Sequence, residues 1–436
     1  MVASISWGKH ERIVLEVPAD WKIVLDHRVN KAAALEDFPE EVKRSLKAPT
    51  AGPALSELLA GAKKAAIVID DVGRPTPGHL IAPVVLDELI AAGVKQEQVE
   101  VIFATGTHRP MTEPEMRMKA GEVFGRVKCA NHDCRNVSEL AQFGTTSFGT
   151  PVSFNRVVAE ADLRVLIGTI EPHPQAGFGG GLKMLLPGTA SAEAIGHNHL
   201  ILPSPEKYNM IGTIPSENPM RRDIEEAAGK LPGKNFIVNT VLGPDLKPVA
   251  LVSGDAILAH RKGVELARKL YGYRLPRKVD AIITSSFPMD QDLRQGVKGV
   301  ANAPGAVRKG GVIICFLKCE RGVEDMKPPN FSPPLAPVRL LLKLLGARGI
   351  YGLSKRLPKT VPVETRFIIN FGLQVLKDFH VLIFSPQLVK ETRGEFGQFL
   401  FDDQGELFAR ARQLVGDAAE SCVISEGGVS FPLLEK

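Results

Sequence analysis

Ala65-Ala66-Ile67-Val68-Ile69 runs directly into Asp70-Asp71-Val72-Gly73-Arg74-Pro75-Thr76-Pro77. An apolar run without polar alternation reads as a strand buried on both faces, and the octet after it reads as a turn. A helical pattern near His79 to Ala92 follows. A second apolar run, Val99 to Ala104, ends in Thr105-Gly106-Thr107-His108-Arg109, before a helix near Glu115. Leu163 to Ile167 repeats the arrangement and opens into a long Gly-rich loop. Strands alternating with helices predict an α/β fold with a mostly parallel sheet. Ligands of such sheets lie beyond the carboxyl ends of the strands, and all three loops begin there.

A second strand set is expected at Val279 to Thr284, Gly311 to Phe316 and Val381 to Ser385. The helical pattern Asp255 to Arg268 and the segment Leu270 to Arg277 separate the two sets. The boundary is therefore expected near residue 274. Residues 1–274 form the domain that bears the catalytic loops, and 275–436 a C-terminal α/β domain whose last helix is a candidate to pack back on the first. A chain of 436 residues accommodates this at about 150 residues per domain. The Pro-rich stretch Lys327 to Pro337 reads as a loop.

Composition narrows the function. Lys and Arg number 54 against 49 Asp and Glu, a net +5 without a basic block, so nucleic acid is not the expected partner. Five scattered cysteines do not resemble a disulfide framework, and the N-terminus, MVASISWGKHERIVLEV, lacks the apolar core of a signal peptide. A cytoplasmic location is the expectation. No apolar run reaches the length of a membrane span. Ala336 to Ile350, interrupted by Arg339, Lys343 and Arg348, reads as a core-facing helix with solvated basic residues, or as a helix lying on a membrane surface.

The loops hold side chains suited to chemistry. Asp71 and Arg74 could orient a histidine and clamp a carboxylate, although the same residues make a capped turn with a surface ion pair. Thr105-Gly106-Thr107 allows close backbone approach and suits a phosphate, while His108 is the kind of side chain best suited to accept and return protons. Glu171-Pro172-His173 leads into Gly177-Phe178-Gly179-Gly180-Gly181-Leu182-Lys183, a costly run of glycine unless the backbone must take unusual angles or meet a ligand. The P-loop spacing is absent, so Lys183 is better suited to a covalent bond with a cofactor. His197-Asn198-His199 can supply imidazole ligands to a transition metal, but spacing offers no third ligand. Cys129, His132 and Cys134 have no matching second pair and read as chance.

DDVGRPTP, ATGTHRPMT, EPHPQAGFGGGLKMLLPG, the Asn198-His199 pair and DQDLRQGVK at 290 to 298 occur in the order and spacing of the lactate racemases that use a nickel-pincer nucleotide, and together they closely resemble that family. The resemblance implies two α/β domains with the active site in the cleft between them. It implies a racemase or epimerase of a 2-hydroxy acid, lactate or a larger or more polar analogue. The cofactor would be nickel held by pyridinium-3-thioamide-5-thiocarboxylic acid mononucleotide. On this resemblance Lys183 is the lysine joined to the cofactor, and His199, 16 residues further on, is the nickel ligand, whereas His197 is out of register. His108 and His173 are the two acid/bases, and Asp71 orients His108. Asp71, Arg74, Gly106 and Thr107 lie on the cofactor side. Arg74, Gln295 and Lys298 meet the substrate, and cofactor-maturation proteins are implied as partners.

Two positions depart from the family pattern. Arg294 stands where an aromatic residue is common. It either favours a substrate with a second polar or anionic group, such as malate or a sugar acid, or is a surface arginine remote from the substrate. Gly179 replaces the usual serine. Competing readings are a non-redox isomerase or lyase on the same scaffold and a non-catalytic cofactor-binding protein.

Overall fold

The computed structural model describes residues 3–8, 10–201, 204–323, 334–358, 361–392 and 399–433. Two six-stranded sheets organise it. The first runs Pro248–Asp255, Lys234–Leu242, Leu163–Thr169, Ala65–Asp70, Val99–Ala104, Lys128–Asn131. Its pairs are parallel except the outermost, where Pro248–Asp255 runs against its neighbour. Ala65–Asp70 and Leu163–Thr169 are buried throughout, as unbroken apolar runs require in a sheet covered on both faces. Alternation still sorts the side chains. Ile67 and Ile69 pack under helix Gly78–Ala91 through Ile81, Val85 and Leu89, while Ala66 and Val68 join Leu185, Met220 and Ile224 on the opposite face.

The second sheet runs Leu400–Phe401, His380–Phe384, Val307–Phe316, Val279–Ser285, Glu420–Ile424, Lys22–His27, and every pair is parallel. Its edge strand Lys22–His27 corrects the expected division at residue 274: this N-terminal strand pairs with Glu420–Ile424, and Ile5, Leu15 and Trp21 share the core of the second sheet. The last described helix, Gln404–Val415, sets Leu407, Phe408 and Ala411 in that same core rather than against the first sheet. A strand makes the return instead. Phe431–Leu433 pairs with Gly272–Arg274, and Phe431 packs edge-on against Phe178 of the Gly-rich loop.

Most of the Pro-rich stretch lies outside the described residues; helix Leu335–Lys355 begins just after them. The core-facing reading holds for Leu342 and Ile350, which are buried, and for Lys343 and Arg348, which are exposed; Arg339 departs from it. Arg339 is buried and donates to the Phe379 carbonyl, just past helix Val363–Asp378, whereas Leu344 is 77% exposed. A guanidinium donating to a carbonyl just past a helix end accounts for the burial. Among the described residues no helix is long and apolar enough to cross a membrane. We expect Arg339→Met to remove that buried hydrogen bond and to cost about 1–3 kcal/mol, read as a lower urea midpoint. An unchanged midpoint would show the contact to be dispensable.

Candidate active site

The carboxyl ends of both sheets open onto one cavity of about 430 Å³. Each sequence-predicted site residue lines it: Asp71, Arg74, Gly106, Thr107, His108, His173, Lys183, His199, Arg294, Gln295 and Lys298. Loops after Ala65–Asp70, Val99–Ala104 and Leu163–Thr169 carry those from the first unit. Helix Leu293–Ala301 carries the rest, and three- and four-residue spacing turns Arg294, Gln295 and Lys298 to one face. Asp292 caps this helix by accepting from the Gln295 amide at 2.8 Å.

His108 and Asp71 form a pair, with Nδ1 at 2.6 Å from Oδ2. Asp71 is buried, which alone would raise its carboxyl. The His108 contact and the charges of Arg74 and Lys119 overcome this and hold it well below the usual range. An ionised Asp71 fixes the Nδ1–H tautomer of neutral His108 and leaves Nε2 as the acceptor. His173 has the opposite arrangement. Its Nδ1 accepts from the amides of Gln175 and Ala176 at 3.2 and 3.1 Å, so the neutral ring carries its proton on Nε2. Burial and the nearby Lys183 push His173 well below its ordinary value, which keeps that ring neutral.

Three charges meet at Glu171, which sequence reasoning quoted but gave no role. Its Oε1 accepts from Arg74 Nη1 at 2.6 Å and from Lys298 Nζ at 3.0 Å. Arg74 also reaches the Gln295 Oε1 at 3.4 Å. Burial and Arg74 bring Lys298 down to about 8, even though Glu171 opposes them. Behind the loop, Lys119 makes an ion pair with Asp70 at 2.8 Å and donates to the Arg74 carbonyl at 2.8 Å.

Lys183 is buried with no ion-pair partner among the described residues, and burial with the charges of Arg74 and Arg221 lowers its amine well below the ordinary range. Its glycine loop is clamped from outside. Arg221 donates to the Gly180 carbonyl at 3.2 Å and to that of Phe178, His260 Nε2 donates to the Gly179 carbonyl at 2.9 Å, and the Gly181 amide donates to Asn239 Oδ1 at 2.6 Å. At Gly181, φ is +60°, and a Cβ would stand 2.8 Å from the His260 ring. Arg221, Asn239 and His260 escaped the sequence reading; their only signal is a polar residue on an otherwise buried strand or helix face.

His199 sits in the π-helical turn His197–Ile201, a distortion common at functional positions. Its Nδ1 donates to the Ile195 carbonyl at 3.1 Å, leaving Nε2 as a lone-pair donor. Burial and Lys183 push the ring down to about 3. His197 turns away toward the Thr150 hydroxyl at 2.8 Å. Among the described residues no cluster of three or more His, Cys, Asp or Glu can hold a metal, which includes Cys129, His132 and Cys134. In the Thr105-Gly106-Thr107 loop, Gly106 and Thr107 line the cavity, and two of the loop's donors have protein partners. The Thr105 hydroxyl donates to the His132 carbonyl, and the Gly106 amide to Gly188, so these donors are spent within the protein rather than offered to a phosphate.

Residues 8–209 match the family described as the lactate racemase N-terminal domain. The lactate racemase of Lactiplantibacillus plantarum is 30% identical over 398 residues, 89% of either chain. The chain belongs to the lactate racemase family. A lactate racemase from Thermoanaerobacterium thermosaccharolyticum is 36% identical over 284 residues, 64% of this chain and 66% of that one. The lactate racemase apoprotein structure from the same organism superposes with a TM-score of 0.82 at 27% identity, with both chains covered completely. A Thermotoga maritima structure, at 23% identity and a TM-score of 0.64, shares the fold.

A neutral amine reacts with acylating reagents, whereas ammonium does not. Brief acetic anhydride treatment at pH 7 is therefore expected to modify Lys183 at least about tenfold faster than exposed lysines, read by peptide mass mapping. Equal rates would mean that Lys183 is held as ammonium.

Proposed function

We propose that this member of the lactate racemase family racemises a 2-hydroxy acid at the cavity between the two sheets, with a nickel-pincer nucleotide joined to Lys183. The observation that carries the reading is the convergence of Arg74 and Lys298, from different units, beside the His108–Asp71 pair. Two cations hold a carboxylate, and the adjacent base meets a hydroxyl on the next carbon.

The residues present fit the cofactor at two points. A deprotonated lysine can form the covalent link, and an anchored imidazole can ligate the metal through its free Nε2. A metal at His199 also needs ligands from outside the protein, as a pincer group provides. When bound, this group would supply a hydride acceptor and donor at C2, chemistry that no side chain here offers.

The chain's own residues do the rest. Arg74 and Lys298 hold the carboxylate, so a planar 2-keto acid can rotate without leaving. His108 Nε2 takes the hydroxyl proton from one enantiomer, and Asp71 stabilises the imidazolium that results. The other enantiomer points its oxygen elsewhere, where His173 presents Nε2–H. Two backbone amides hold the His173 Nδ1 lone pair and so aim Nε2–H at that oxygen. The proton His173 gives is replaced by the one His108 took, so each turnover returns both rings to their starting state. Arg294, half-buried on the cavity wall, would favour a substrate whose third carbon bears a polar or anionic group.

Two outcomes follow for the cofactor-loaded protein. Substrate deuterated at C2 should give the opposite enantiomer with its deuterium retained, and mass spectrometry of product formed in ordinary water reads this. Replacement by solvent hydrogen would instead establish proton abstraction at C2 and favour the non-redox isomerase. Second, Lys298 is cationic below about 8 and loses its charge above it. kcat/KM should then fall as pH rises through about 8, by up to about tenfold per unit, and Lys298→Arg should remove that limb.

A further inference from the structure

Glu171 lies within the machinery just described, yet no proton transfer or substrate contact requires it. It is 3% exposed and follows strand Leu163–Thr169 in the first unit, while Lys298 belongs to helix Leu293–Ala301 of the second. Both cations bind the same oxygen, Oε1. The other oxygen, Oε2, is buried without a hydrogen-bond partner among the described residues. A carboxylate present to brace the backbone would use both oxygens on amides or hydroxyls, as Glu426 does with Ser6 and Val29. Glu171 spends its charge on two side chains only. Those two are the groups assigned to the substrate carboxylate.

The charges sum simply. Arg74 and Lys298 contribute two positive charges and Glu171 one negative, so the subsite stands at +1. One substrate carboxylate brings it to neutrality. Without Glu171, two cations would face each other at the low dielectric of a buried site, and a single carboxylate would be held too firmly to turn over freely.

We propose that Glu171 sets the charge of the carboxylate subsite, competing with the substrate for Arg74 and Lys298 so that a single carboxylate binds reversibly. The proposal rests on the reading of Arg74 and Lys298 as the carboxylate subsite. It assigns Glu171 a positioning and affinity-setting role rather than a catalytic one. The room for it is built in: a Cβ at residue 179 would lie 3.2 Å from the Glu171 Cγ, and glycine occupies that position.

The test is a charge cycle on the full-length protein, with and without cofactor, read as oxamate affinity by calorimetry at pH 6.5. Oxamate is a monoanionic stand-in for the 2-keto acid. Glu171→Gln takes the subsite to +2 and should tighten oxamate about tenfold; Lys298→Gln takes it to zero and should weaken oxamate about tenfold. The double variant returns to +1 and should bind within about threefold of the parent. It also removes two buried charges together, so it folds even where the single Glu171 variant does not. In the loaded enzyme, Glu171→Gln should lower KM for the hydroxy acid while kcat does not rise. A double variant no tighter than Lys298→Gln alone, or an unchanged or weaker Glu171→Gln, overturns the proposal. Oxamate binding that survives Arg74→Gln removes the carboxylate subsite itself, and with it both this proposal and the reading beneath it.

Discussion

Burying charge where two units meet is the constraint around which this molecule is arranged. Taking Glu171, Arg74 and Lys298 out of water carries a desolvation cost that their mutual attraction only partly returns. The ion cluster is thus poor as glue and strong as a geometric specification, because any displacement leaves a buried charge alone. The same pattern recurs one layer away, where Lys119 meets Asp70 and Asp71 meets His108. Alternating signs run through the site, and Lys183 has no acidic partner. Burial, with the charges of Arg74 and Arg221, therefore holds its amine well below the ordinary lysine range.

The sheets make this arrangement affordable in structural terms. Buried parallel strands have little freedom, so the loops that leave them start from fixed points. Arg221, His260 and Asn239 then fasten the glycine loop through its own backbone groups. Rigid side chains thus determine where a flexible segment can go, and Lys183 inherits its place from contacts that it does not make.

How much of this is legible in the sequence depends on the range of the signal. Ala65 to Ile69 and Leu163 to Ile167 announce themselves because burial on both faces leaves an unbroken apolar run. The chemistry-bearing residues are legible because they cluster in loops after such runs. Lys22–His27 is not, since its burial is only partial and its partner strand lies at the other end of the chain. Arg339 misleads because an arginine in a leucine-rich helix reads as solvated, as Arg348 is, until the carbonyl it meets is known. In the Thr-Gly-Thr loop, likewise, the sequence does not reveal that the Thr105 hydroxyl and Gly106 amide already have partners within the protein. Glu171 is plain in its motif, and its meaning emerges only when Arg74 and Lys298 arrive from separate units.

The placement of Lys22–His27 also bears on how the chain is made. In chain order Lys22–His27 precedes every strand of the first sheet, whereas Glu420–Ile424, the neighbour it needs, follows them all. The first sheet can close while synthesis continues, because all its strands lie between residues 65 and 255. The second must wait with an unpaired strand at its N-terminal end, a state that favours non-native pairing during translation. The second sheet is complete only when a strand from before the first sheet meets one from after it, a pairing of very long sequence separation.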